Sequence, residues 1–219
     1  MRTVALVPIK LDNERFPGKN TMRFTRGEPL ICYILKTLHD VSEIDDIYVY
    51  CSSEEIVGFL PEYVTFQKRD SYYDLSSTPF NEVLSSFATI IEANYYVLTH
   101  ATAPFISAES ISKGVRAVQM GKYDSAFSVL RLQDFLWKDG APVNYSPSDI
   151  PRTQDLVPFF KETCGMYVYG RELILSENRR IGDNPLLVEV SQIEACDINT
   201  REDFDIANAL HLAALTGEL

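Results

Sequence analysis

No apolar run in this chain approaches the ~20 residues needed to cross a bilayer. The N-terminal MRTVALVPIK lacks the apolar length and small-residue cleavage site of a secretory leader, and reads instead as a first buried strand. These absences predict a cytoplasmic protein without a membrane partner. Cysteine is sparse: Cys32, Cys51, Cys164 and Cys196 lie far apart with no CxxC pair, which disfavours a zinc site and a disulfide framework alike. Cys32 falls in a helical pattern and Cys51 at a strand end, where small core residues belong. Glycine-rich phosphate loops are missing too. Neither GxxxxGKS/T nor GxGxxG occurs, so P-loop ATPases and Rossmann dehydrogenases drop out. Positive charge is short overall, and a net charge of −11 argues against nucleic acid as a partner.

The positive charge that exists is concentrated. Residues 1–26 hold Arg2, Lys10, Arg15, Lys19, Arg23 and Arg26 against Asp12 and Glu14, a local charge of +4 that leaves −15 on the remainder. A basic island in an acidic chain points to a small anionic ligand near the N-terminus, the alternative being a solvated loop.

Strand-like segments recur at Val4–Pro8, Ile47–Cys51, Val64–Gln67, Tyr95–Thr99 and Ser125–Val129. Between them, Leu30–Leu38, Phe80–Ile91 and Ile111–Val118 carry apolar residues at helical spacing. Thr78–Pro79 reads as a helix start with a capping hydroxyl, and Ser52-x-x-Glu55 as a capping box. The alternation predicts βαβ units and a mainly parallel sheet flanked by helices, an α/β fold. The rhythm stops after Val129. Leu130–Pro158 has no helical period and carries Phe135, Trp137 and Tyr145, which suggests a hairpin and arm packing on a partner subunit, or a long loop over the chain's own site. Further elements are expected at Gly165–Tyr169 (strand), Arg171–Ser176 (helix) and Leu186–Val190 (strand). A last helix starts at Thr200, capped with Asp203, with Phe204, Ala207, Leu210, Ala214 and Leu215 as its buried stripe. This organisation predicts one domain over 1–219 with an arm at 130–158.

Chemistry concentrates in Pro8-Ile9-Lys10-Leu11-Asp12-Asn13-Glu14-Arg15-Phe16-Pro17-Gly18-Lys19-Asn20. Directly after the first strand of a parallel sheet, such a loop lies at the carboxyl edge where ligands bind. Its three cations can meet a triphosphate.

This segment resembles the P-A-R-G-G-S-K-R-I-P-G-K-N signature of the acylneuraminate cytidylyltransferase family, also called CMP-sialic acid synthetases. Pro8, Arg15, Pro17, Gly18, Lys19 and Asn20 are identical without a gap. Three further segments follow in order. His100-Ala101-Thr102-Ala103-Pro104-Phe105 resembles Q-P-T-S-P-L. Arg152-Thr153-Gln154-Asp155-Leu156 resembles R-R-Q-D-L. Asp197-Ile198-Asn199-Thr200-Arg201-Glu202-Asp203-Phe204 resembles D-I-D-T-P-E-D-F.

The resemblance implies a Rossmann-like nucleotide-diphospho-sugar transferase fold, CTP and a sugar acid as substrates, Mg²⁺ as cofactor, and a homodimer formed through the arm. It implies catalytic roles for Lys10, Arg15 and Lys19, and nucleotide contacts from these together with Pro8, Asn13, Asn20 and Arg69. His100, Thr102, Arg152 and Gln154 would contact the acceptor, and Asp197 and Asn199 the metal. His100 is also readable as a general base or a structural strand-end residue, and Asp197 as a helix-capping turn residue. The chain departs from the pattern at Lys10 (arginine in the family), Glu14 (lysine), Leu11 and Asp12 (glycines), His100 (glutamine) and Asn199 (aspartate). These departures suit an outlying branch with a nonulosonic, octulosonic or less related acceptor. Two rivals stay open: a sister nucleotidyltransferase using another NTP, and a non-catalytic nucleotide-binding protein of the same fold.

Overall fold

β1 (Thr3–Ile9) sits at the centre of the molecule because both of its faces are apolar. Val4 and Leu6 point into one core layer, while Ala5, Val7 and Ile9 point into the other. A strand buried on both faces needs pairing on both edges and cover on both sides. β1 pairs in parallel with β2 (Asp46–Cys51) and with β4 (Tyr95–Thr99), and β2 pairs in parallel with β3 (Val64–Lys68). A computed structural model describes residues 1–217 of the chain.

The sheet has seven strands in the order β3-β2-β1-β4-β8-β5-β9. β8 (Phe159–Gly170) runs antiparallel between β4 and β5 (Ser125–Leu132), and β9 (Pro185–Glu189) returns parallel to β5. One face is covered by α1 (Leu30–His39) and α3 (Ala108–Gln119) through Ile34, Leu35, Ile111 and Val115. The other is covered by α2 (Phe80–Ile90) and α4 (Arg171–Glu177) through Leu84, Phe87, Leu173 and Ile174. α5 (Arg201–Thr216) closes a third cluster, in which Phe204 and Ala207 meet Phe16, Phe24, Leu30 and Ile198. The expected α/β class with a mainly parallel sheet is the observed one. No described helix is long and apolar enough to cross a membrane.

Three local expectations are corrected. Pro79 itself is the N-cap of α2, while the Thr78 hydroxyl donates to the Tyr72 carbonyl at 2.9 Å. Ser53, not Ser52, accepts the Glu55 amide, and it opens a 3-10 turn (Glu54–Phe59). Ser52 instead donates to the Asp74 carboxylate. The α5 stripe is buried at Phe204 and Ala207 only, and by Leu215 the helix is 56% exposed. The cluster that α5 covers is made by Phe16, Phe24, Leu30 and Ile198 and engages Phe204 and Ala207; Leu210, Ala214 and Leu215 lie outside it. His211 packs on Phe24 and Tyr33 there, a structural place, as does His39 against Tyr63.

The chain leaves the sheet after Leu132 and forms a two-stranded hairpin, β6 (Trp137–Lys138) with β7 (Ala141–Pro142). Its aromatic residues pack on each other: the Phe135 and Tyr145 rings lie 4.5 Å apart, and Trp137 Nε1 donates to the Tyr145 hydroxyl at 2.9 Å. Trp137 nevertheless stays 58% exposed.

Candidate active site

The basic loop leaves β1 at Ile9 and is fixed at both ends. At its root, Arg69 is buried behind it and donates to the Ile9 carbonyl at 2.8 Å. Asp74 pairs with the same guanidinium, and the Tyr50 ring lies 5.6 Å away. Arg69 thus anchors the loop from behind. At the far end Gly18 adopts φ 71°, a left-handed turn that glycine makes without steric cost. That turn sends Lys19 and Asn20 inward, where both are buried. Phe16 then wedges into the third cluster, 5.9 Å from the Phe204 ring.

Between these anchors the backbone is held by amide side chains. Asn13 and Asn20 both donate to the Lys10 carbonyl, at 2.7 and 3.0 Å. Leu11 and Asp12, which stand in place of glycines, therefore sit in a loop braced by side chains. Lys10 and Arg15 face a cavity of about 280 Å³, lined also by Asn13, Glu14, Lys19 and Ser76. Glu14 reaches across to the Lys10 ammonium at 3.6 Å and is 71% exposed. A pair this open is worth little and is easily exchanged for a ligand.

Lys19 has a different place from its neighbours. Its ammonium donates to the Ile198 carbonyl at 2.7 Å, tying the loop to the turn before α5. Burial, with Arg15 nearby, lowers its pKa against the opposing pull of Asp197 and Asp203. On that turn the groups form a chain: Arg15 donates to Asn199 Oδ1 at 3.0 Å, and Asn199 Nδ2 donates to Asp197 Oδ2 at 2.6 Å. Thr200 and Asp203 complete the capping box expected from the sequence. The backbone amides of Asn199 and Thr200, with the Thr200 hydroxyl, outweigh burial and hold the Asp203 carboxyl below its ordinary range.

Among the described residues no three His, Cys, Asp or Glu side chains converge on a metal-sized site. Asp197 keeps one carboxylate oxygen without a hydrogen-bond partner among them, whereas the Asn199 oxygen is spent on Arg15. Such a donor set fits a Mg²⁺ ion that arrives with phosphate oxygens, rather than one held by protein alone.

The remaining candidates divide. His100 directly follows β4, with its ring centroid 5.6 Å from that of Phe80. Burial, reinforced by Arg180, lowers its pKa to about 4, so the imidazole is neutral at pH 7. Thr102 offers its carbonyl to the Ile198 amide at 2.9 Å and thereby joins the strand end to the same turn. Pro8 is the penultimate residue of β1. Arg152 and Gln154 are elsewhere. They lie on an exposed turn of the arm, where Arg152 pairs with Asp155 at 2.7 Å and the Gln154 carbonyl accepts from Gln133. Neither hydrogen bonds to the basic loop or to the Asp197 turn.

A second cavity, of about 470 Å³, was not foreseen from the sequence. Phe80 and Asn81 line it from the start of α2, Glu162 from β8, and Arg180 from the segment after α4. β8 is irregular at this point, with a register shift against β5 between Phe127 and Val129. Gly165 lies in the bulge because a Cβ there would come 2.9 Å from Ser128 Oγ. The bulge lets the Tyr167 hydroxyl reach Glu162. The one sequence signal was the Arg179–Arg180 pair in an otherwise acidic half.

A cation-bearing loop at the carboxyl edge of a central parallel strand is the architecture of a nucleotide-handling α/β protein. The profile of the cytidylyltransferases matches residues 4–145, and the chain belongs to that family. It is 23% identical over 215 residues to N-acylneuraminate cytidylyltransferase A of Danio rerio, covering 93% of this chain and 49% of the relative. Over 248 residues it is 21% identical to the 3-deoxy-manno-octulosonate cytidylyltransferase of Thermodesulfovibrio yellowstonii, covering 94% and 97%. The chain thus spans about half of the fish relative. Among solved structures, CMP:2-keto-3-deoxy-manno-octonic acid synthetase complexed with CTP superposes with a TM-score of 0.72 at 14% identity over 100% of both chains. The 4-diphosphocytidyl-2C-methyl-D-erythritol synthase of Anaerococcus prevotii gives 0.69 at 14% identity over 96% of each. These two likenesses concern the fold.

Proposed function

We propose that this chain transfers CMP from CTP to the anomeric hydroxyl of a sugar acid. The acceptor oxygen forms a bond to the α-phosphorus, the bond from that phosphorus to the β-phosphate oxygen breaks, and its electron pair leaves with pyrophosphate. The observation that carries this reading is the cavity shared by Lys10 and Arg15 beside the Asp197 turn, in a chain of the cytidylyltransferase family.

Catalysis of such a displacement is mostly positioning and charge neutralisation. Lys10 and Arg15 meet the triphosphate from the loop, with Lys10 leaving Glu14 to do so. Lys19 acts from beneath, fixing the loop against the turn. Asp197 would hold Mg²⁺ together with the phosphates, and the ion, when bound, would supply neutralisation of the developing charge. Asn199 keeps Asp197 and Arg15 in register. His100, neutral at pH 7, accepts a hydrogen bond from the acceptor; its low basicity makes it a poor proton store, so the hydroxyl proton passes to water.

The exposed apolar residues of the arm, Trp137, Ile150 at 64% and Val157 at 81% exposure, support a homodimer formed there. Sedimentation should find two copies, and Trp137→Ser should shift them toward one.

Pyrophosphate release from CTP with a panel of nonulosonic and octulosonic acids tests the activity. Turnover with one or more of these acids is expected. CTP bound but stable against the whole panel would leave a nucleotide-binding protein without transferase activity.

A further inference from the structure

The second cavity contains a cation that the nucleotide reading leaves unused. Its neighbour Arg179 is fully engaged, paired with Glu177 and, at 2.7 Å, with Asp183. Arg180 is not. Its guanidinium carbon lies 3.9 Å from the centroid of the Tyr167 ring and 5.4 Å from that of Phe80. Among the described residues its one ionic partner is Glu162, at 3.3 Å, on the carboxylate oxygen that Tyr167 also donates to. One long contact orients the group and leaves most of its N–H donors free. A guanidinium packed against two aromatic rings and lining an open cavity is preorganised to receive a planar anion.

The cavity adjoins the nucleotide site. Ser76 lines the Lys10 cavity and Pro79, Phe80 and Asn81 line this one, so a single short segment walls both. His100 packs on Phe80, the ring that walls this cavity, with centroids 5.6 Å apart. A molecule in the Arg180 cavity is therefore placed to present a hydroxyl toward a nucleotide on the basic loop.

We propose that Arg180 binds the carboxylate of the acceptor, with Phe80 and Tyr167 walling the sugar, and so selects sugar acids over neutral sugars. This assignment rests on the cytidylyltransferase reading above. A planar fork meets a carboxylate through two parallel hydrogen bonds, which a hydroxyl or amide cannot match in strength.

The test is acceptor kinetics on the full chain, with N-acetylneuraminate and 3-deoxy-manno-octulosonate as probes, each also supplied as its carboxamide. Arg180→Met keeps the apolar packing on Tyr167 and removes the charge; it should raise the acid's KM roughly 10- to 100-fold. kcat should change by less than about threefold, CTP affinity by less than about twofold, and Arg180→Lys should recover part of the loss. The wild type should prefer acid to carboxamide, and that preference should vanish in Arg180→Met, which a merely structural role would not produce. A KM for the acid that stays within about twofold in Arg180→Met, or an unchanged acid-to-amide ratio, overturns the assignment. So does CTP binding with no turnover of either acid, which leaves the nucleotide half standing. Failure of the wild type to bind CTP at all removes the underlying reading instead.

Discussion

The two cavities at the carboxyl edge of the sheet are built in opposite ways. The Lys10 cavity is walled almost wholly by one continuous loop, braced by Asn13 and Asn20 and fixed to the α5 turn through Lys19. The Arg180 cavity is assembled from separate elements: the start of α2, a bulged stretch of β8 and the segment after α4. A site carried by consecutive residues keeps its chemistry when the surrounding structure changes. One assembled from several elements can change its ligand by a single substitution. This contrast fits a family that keeps one nucleotide and varies its acceptors.

The sharpest way to break the contrast lies inside the loop. Lys19→Ala should cost about 1–3 kcal/mol of stability by leaving the buried Ile198 carbonyl unpaired. It should also weaken CTP binding by loosening the loop. Lys10→Ala should lower CTP affinity by roughly tenfold or more with no change in melting temperature, since among the described residues its one ionic partner is the exposed Glu14. Equal effects of the two on stability would show that the loop is not anchored as described. Calorimetric melting and CTP titration of both variants decide it.

That difference between the lysines was beyond the sequence. The order of cations in 8–20 identified the loop, but which ammonium is buried depends on α5 docking 179 positions away along the chain from Lys19 to Ile198. The strands and helices of the first 129 residues were legible because their apolar spacing is regular. Tyr95–Thr99 matches to the residue, and the other strands extend by one to three. The first half of β8 was not legible. Phe159–Glu162 are all exposed, so no alternation marks them as a strand. Caps at Thr78 and Ser52 were misassigned because each hydroxyl found a tertiary partner, the Tyr72 carbonyl or Asp74, in place of a local amide. Arg180 carried no motif; only the fold brings it beside Phe80 and Tyr167.

A smaller effect separates the two sites by pH. His100 has its folded pKa depressed to about 4 by burial and by Arg180, below its ordinary 6.5. Folding thus favours the neutral ring. The stability this gives is present above about pH 6.5 and is lost as pH falls toward 4. NMR titration of the His100 ring should show a midpoint near 4, moving upward in Arg180→Met. A midpoint near 6.5 in the wild type would remove Arg180 and burial from its surroundings.

The smallest expected effect is at the α5 cap. Thr200→Ala should cost about 1 kcal/mol, read as a shift in the denaturation midpoint. It should weaken CTP binding slightly through the Asp197–Asn199 turn and leave the acceptor KM unchanged. An effect on acceptor KM larger than on CTP would mean that the two cavities share this turn.

On the proposed reading, the loop of Lys10 and Arg15 is a CTP site completed by Asp197. Calorimetric titration of CTP, UTP, GTP and ATP, each with and without Mg²⁺, tests it before any acceptor is known. CTP-selective binding is expected, strengthened by Mg²⁺, weakened by Lys10→Ala both with and without the ion, and weakened by Asp197→Ala only in its presence. Preference for another nucleotide, or no binding by well-folded protein, would contradict it.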